Sequence, residues 1–158
     1  MARNPTAAWT VAGLATALHV ALVVAAFGML SLLADAEPIG DPAAGRLVGP
    51  ITVGVAALAL LVVLGTSLGR GIRPWSLAGI ALLATWAAGV VGAALSYAAA
   101  TGTILAALIF ALSFMTVGFG AIIAVAGALV ALLAAVTLRA QEGGVERPRW
   151  PWERDDED

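Results

Sequence analysis

The chain has 158 residues, 61% of them hydrophobic and 11% charged, with a formal net charge of −2 and a mean hydropathy of +1.00. A soluble domain carries about 25% charged residues, so this composition excludes a soluble globular fold and leaves no basic face for nucleic acid. Cysteine is absent, which excludes disulfides, thiolate chemistry and Cys-ligated metals.

The apolar residues fall in runs long enough to cross a hydrocarbon core about 30 Å thick. Lipid offers the backbone no hydrogen-bond partner, so such runs are helices or strands of a closed barrel. Barrel strands alternate polar and apolar residues. These runs are apolar on every side, which predicts helices.

The first predicted span covers residues 8–33, behind the flank MARNPT with Arg3. A small-x-small site, ADA at 34–36, invites comparison with a signal peptide. The apolar stretch is about twice as long as a signal core and its flank has a single Arg, so an uncleaved span is expected. DAEPIGDPAAGR follows as a polar loop with Asp35, Glu37, Asp41 and Arg46. Its Pro and Gly residues break helices. The second span covers 47–69. RGIRPW is a tight connection with Arg70 and Arg73, and Pro74 suits the first turn of the next helix. The third span covers 75–98.

Between Thr103 and Leu138 there is no charge, and this stretch is too long for one straight span. Counting inward from Arg139 gives a fourth span at 115–138. Residues 99–114 are then an apolar outer segment or an extension of that helix. The last segment, 139–158, is polar, Pro-containing and ends in DDED. It is expected to be a disordered cytoplasmic tail. Its RPRWPWE run suits a solvated or loosely membrane-bound tail, with a docking motif as the alternative.

With four spans, Arg46 alone lies on one side and the other seven arginines share the opposite side. The positive-inside rule then puts both termini in the cytoplasm. Trp9 and Trp75 fall at the inner interface and Tyr97 near the outer one, as interfacial aromatics do. Arginine in place of all lysine, with much Ala, Gly and Val, fits a GC-rich bacterial genome. The cytoplasmic (inner) membrane is the expected location.

His19 is the one histidine and lies near the middle of the first span. Ionisable residues at that depth usually face the bundle interior. Depth counting names Thr85 and Trp86 of the third span as its partners, through a bond from His19 to Thr85 or from the Trp86 indole to His19. Such a bond ties two helices together. The sharper alternatives are a protonatable gate in a water-filled path and a haem or metal ligand. One chain supplies a single His and no Cys, so no cofactor and no metal site is expected.

Gly89 and Gly92 in the third span, and Gly120, Ala124, Gly127 and Ala128 in the fourth, form small-residue ridges that let helix backbones approach closely. They suit packing within one bundle or an interface with a second copy. MTVGFGA, 115–121, holds glycines inside a span and is a packing or bending position, or else a broken helix lining a site. No catalytic residue is expected. There is no GxSxG, no phosphate loop with Lys, and no intramembrane carboxylate.

The Arg-led N-terminus, the acidic loop DAEPIGDP, the RGIRPW turn and the ending RPRWPWERDDED together resemble small four-pass membrane proteins of unknown function from actinobacteria. That resemblance spans the whole chain and implies a layout, not an activity. The small multidrug transporters share four spans but carry a glutamate in the first, where this chain has His19. The expected fold is therefore an all-α bundle of four transmembrane helices. The expected function is a non-enzymatic structural or accessory membrane protein that packs with itself or with a membrane partner. The alternative is a small oligomeric transporter or channel with His19 as its titratable group.

Overall fold

The computed structural model of the protein describes residues 5–35, 37–117 and 119–142. They form five α-helices: α1 (Pro5–Ala34), α2 (Val48–Ser67), α3 (Pro74–Thr101), α4 (Ile104–Val117) and α5 (Gly120–Glu142). No strand occurs among the described residues. Four of the helices, α1, α2, α3 and α5, are long and apolar enough to cross a membrane.

The helix ends follow from local chemistry. α1 stops at Asp35, whose φ of 47° is left-handed, a conformation that reverses a helix C-terminus. Asp41 then opens a single 3₁₀ turn at Pro42–Ala44, and its side chain accepts a bond from the Ala43 N–H. A second 3₁₀ turn, Leu68–Arg70, finishes α2 and passes into left-handed Gly71. Arg73 is extended, as a residue before proline must be, and Pro74 starts α3. α3 ends on Gly102 at φ 72°, whose N–H bonds the Ala98 carbonyl at 2.8 Å. A Cβ there would meet the left-handed penalty of about 1–2 kcal/mol.

Contacts between helices give the register. Moving down α3, Tyr97 stacks on Phe110, Gly89 lies against Met115, Thr85 against Gly127, and the Ile72 carbonyl accepts a bond from Arg139. Rising numbers in α4 and α5 meet falling numbers in α3, so both run antiparallel to it. α1 and α5 are antiparallel as well. His19 meets the backbone of Ala126, and Phe27 meets Phe119 edge-on at 5.5 Å. Trp9 lies over Gly65 and antiparallel α2 completes a ring α1–α2–α3–α5, while α4 packs mainly on the outside of α3.

The expected fourth span, 115–138, is cut differently. Met115 to Val117 belong to α4, and the crossing helix α5 starts at Gly120. The stretch 99–114 contains the end of α3 and most of α4. Hydropathy cannot mark a helix break between two apolar helices, and this one falls in the glycine-bearing MTVGFGA run. α5 folds back tightly over α4: a Cβ on Gly120 would lie 2.7 Å from the Phe114 carbonyl oxygen. The expected polar tail lies, beyond Glu142, outside the described residues.

The core divides into three clusters, the smallest of them Ala44, Val48, Tyr97 and Ala107 at the end of the 35–47 loop. Near the 68–74 turn, Leu60, Leu64, Leu77, Val130 and the alanines of α1 and α5 pack together. Toward the other end, Val23, Ala93, Phe114, Met115 and Ile123 form a second cluster. Ala and Gly at the contacts bring the helices close, and large apolar side chains point outward: Leu14, Leu58, Leu83, Leu95 and Leu129 are all exposed. That inversion of the water-soluble pattern is what a lipid solvent selects.

Candidate functional site

Two places in the bundle hold polar groups that packing alone does not explain. The first is His19. Its side chain is fully buried, 0% exposed, on the one face of α1 that touches the bundle. It stands between Ala15 of the first core cluster and Val23 of the second. The ring faces the Ala126 backbone of α5. Neither Nδ1 nor Nε2 has a hydrogen-bond partner of acceptable geometry among the described residues.

The two expected partners do not reach it. The Thr85 hydroxyl is buried and donates instead to its own helix, to the Ala81 carbonyl at 2.7 Å and the Leu82 carbonyl at 3.1 Å. A threonine inside a helix satisfies itself on the preceding turn more cheaply than across a helix gap. Trp86 is half-buried in the second cluster. The expected helix-tying bond is thus absent among the described residues, and Thr85 packs instead on Gly127, next in sequence to the Ala126 that His19 faces.

The small residues act inside the bundle. Gly89 admits the Met115 side chain of α4, Gly92 admits the Thr52 backbone and Val55 of α2, and Gly127 admits Thr85. Gly120 permits the α4–α5 turn. Ala124 is buried and Ala128 half-buried.

The second place is the loop end of α1 and α2. A cleft of about 410 Å³ opens among Glu37, Asp41 and Arg46. Below it, a second cavity of about 480 Å³ runs between α1 and α2, walled by Val20, Val24 and Phe27 on one side and Val53 and Gly54 on the other. Pro38, Ile39, Gly49 and Pro50 line both, so the cleft and the cavity adjoin along one groove-like stretch of the surface between α1 and α2. Asp41 is held rigidly at its rim. Besides capping Ala43, its carboxylate accepts a 2.8 Å bond from the Tyr97 hydroxyl. Tyr97 in turn stacks on Phe110, which stacks on Phe114. Glu37 and Arg46 make no ion pair or hydrogen bond among the described residues.

The Asp41–Tyr97 link escaped the sequence reading, although Asp41 was visible as a loop acid and Tyr97 as an outer interfacial aromatic. Their separation of 56 positions leaves no local pattern. No group of three or more His, Cys, Asp or Glu that could hold a metal occurs among the described residues.

Seen against known proteins, the chain belongs to DUF6121, a family of unknown function whose model matches residues 1–158. No curated protein and no solved structure matches it.

Proposed function

We propose that this protein is a non-enzymatic accessory component of the cytoplasmic membrane, with both termini cytoplasmic, that works by packing with a second copy or with another membrane protein. The observation that carries this reading is the position of α1. Only 11% of its spanning window is buried, against 39–44% for α2, α3 and α5. An apolar cavity flanks it on each side, toward α2 and toward α5. On its outward face lie Gly13, Ala17, Ala21 and Gly28, all exposed, and a Cβ at Gly13 or Gly28 would meet nothing within 4 Å. A close helix partner needs such a low ridge.

The test is the size of the particle after mild extraction. The full chain is expected to run as a dimer or larger complex, and Ala17→Leu with Ala21→Leu is expected to shift most of it to monomer while leaving its helical content unchanged. A wild-type protein that is monomeric and partnerless counts against the reading.

The orphaned nitrogens of His19 favour a second reading, a small transporter or channel with His19 as the titratable group. Neither cavity beside α1 is lined by His19, which favours the first. Proteoliposome flux abolished by His19→Ala is the result that would restore the second.

A further inference from the structure

The groove between α1 and α2 has the anatomy of an amphiphile site, and we propose that it binds one phospholipid with a zwitterionic, ammonium-bearing head group of the phosphoethanolamine type. One acyl chain lies in the trough and the head group sits at the rim, in the leaflet on the side of the 35–47 loop.

The trough fits a chain. Its volume, about 480 Å³, is within the range of about 300–1,000 Å³ typical of small-ligand sites. Its walls are aliphatic or aromatic, and Val24 and Gly54 on its two sides are exposed. Gly54 has no atom within 4 Å of where a Cβ would stand, so the glycine leaves room there that no neighbouring side chain fills.

The rim selects the head group by charge. It carries one cation, Arg46, and two acids, Glu37 and Asp41. Arg46 and Glu37 are unpaired among the described residues, while Asp41 is fixed by the Tyr97 hydroxyl and the Ala43 N–H. A guanidinium can take a phosphate diester through two parallel N–H bonds. The carboxylates suit an ammonium a few ångströms further along the same head group. A head group that is only anionic would satisfy Arg46 and leave both carboxylates facing negative charge. The trough uses the α2-facing flank of α1, about 75° from the centre of its outward face at about 100° per residue, and exposed Val24 borders both, so lipid retention is read on the monomer as well as on the oligomer.

The experiment is native mass spectrometry of the full-length protein in mild detergent. The detergent holds equal amounts of phosphatidylethanolamine and phosphatidylglycerol with identical acyl chains. The expected result is one phosphatidylethanolamine retained per chain, at least 10-fold above phosphatidylglycerol, on monomer and oligomer alike. Gly54→Phe fills the trough from a wall with free space and is expected to bring retention to background. Arg46→Gln touches nothing in the fold and is expected to lower phosphatidylethanolamine retention at least 5-fold with helical content unchanged. Equal retention of the two lipids means annular lipid only and overturns the proposal. So does wild-type retention in Arg46→Gln, whatever Gly54→Phe does.

Discussion

Individual positions in this bundle differ in whether a clash can be relieved, and that difference is measurable. A Cβ on Gly127 would stand 2.9 Å from both Cγ2 and Oγ1 of Thr85. Gly127→Ala should therefore lower stability by about 1–3 kcal/mol, the usual cost of overpacking. Thr85→Ala removes both obstructing atoms and orphans no partner, because the hydroxyl bonds only carbonyls of its own helix. The double variant should recover most of the loss, a coupling of at least about 0.5 kcal/mol in a double-mutant cycle read by thermal unfolding in detergent. At Gly92 the obstruction includes the Thr52 Cα at 3.2 Å, which is backbone, so no side-chain truncation should rescue Gly92→Leu. His19 carries the opposite sign. Its nitrogens are buried without a well-formed bond, and an unsatisfied polar group costs about 1–3 kcal/mol. His19→Leu is expected to leave the thermal midpoint unchanged or raise it. A clear drop would show that the imidazole is held by a bond after all. Legibility at this scale was uneven. The burial of His19 could be read from its depth, since a midplane imidazole avoids lipid. Its lack of a partner could not, because Thr85 had a cheaper acceptor one turn away.

Among the elements, α4 is the one that composition describes least well. At 14 residues it is about 21 Å long, short of the hydrocarbon core, and it carries no charge. Its docked side holds Ala107, Ala111, Phe114 and Met115, while Ile104, Leu105 and Ile109 are exposed. A helix lying on a membrane surface needs a polar face toward water, and α4 has none. It should therefore sit inside the bilayer against α3. The absence of native cysteine allows a clean test with single cysteines and a membrane-impermeant maleimide. Thr103→Cys, just before the helix, should react. Leu108→Cys and Ser113→Cys are exposed positions on opposite flanks, about 140° apart at about 100° per residue, and both should resist. Labelling at either one would put α4 at the surface. The four long helices were readable because twenty or so apolar residues between loop signals have one physical solution in lipid. The α4–α5 break was not, because both halves are equally apolar and the turn is set by packing of Gly120 on Phe114 and Met115.

For the molecule as a whole, the register of the helices sorts the charges by end. Arg139 bonds the Ile72 carbonyl, so the end of α5 meets the turn that carries Arg70 and Arg73. At the opposite end Asp41 bonds Tyr97, and Glu37 and Arg46 line the same cleft. Among the described residues, one end therefore has Arg70, Arg73 and Arg139 with Glu142 as its acid, and the other has acids around a single arginine. Translocation of arginine-rich short loops is disfavoured, so the 68–74 end should face the cytoplasm. Gly40 and Gly69 report on the two ends with little disturbance. Both are exposed, neither has a positive φ, and a Cβ at either meets nothing within 4 Å. In intact cells a membrane-impermeant maleimide should label Gly40→Cys and spare Gly69→Cys, and permeabilisation should make the second react as fully as the first. The reverse pattern would put the arginine-rich end outside and place the groove between α1 and α2 in the cytoplasmic leaflet. Labelling of both in intact cells would mean that the chain inserts in two orientations. A second copy could then pack antiparallel against the outward face of α1, and parallel and antiparallel dimers would have to be separated before any association through Ala17 and Ala21 could be interpreted.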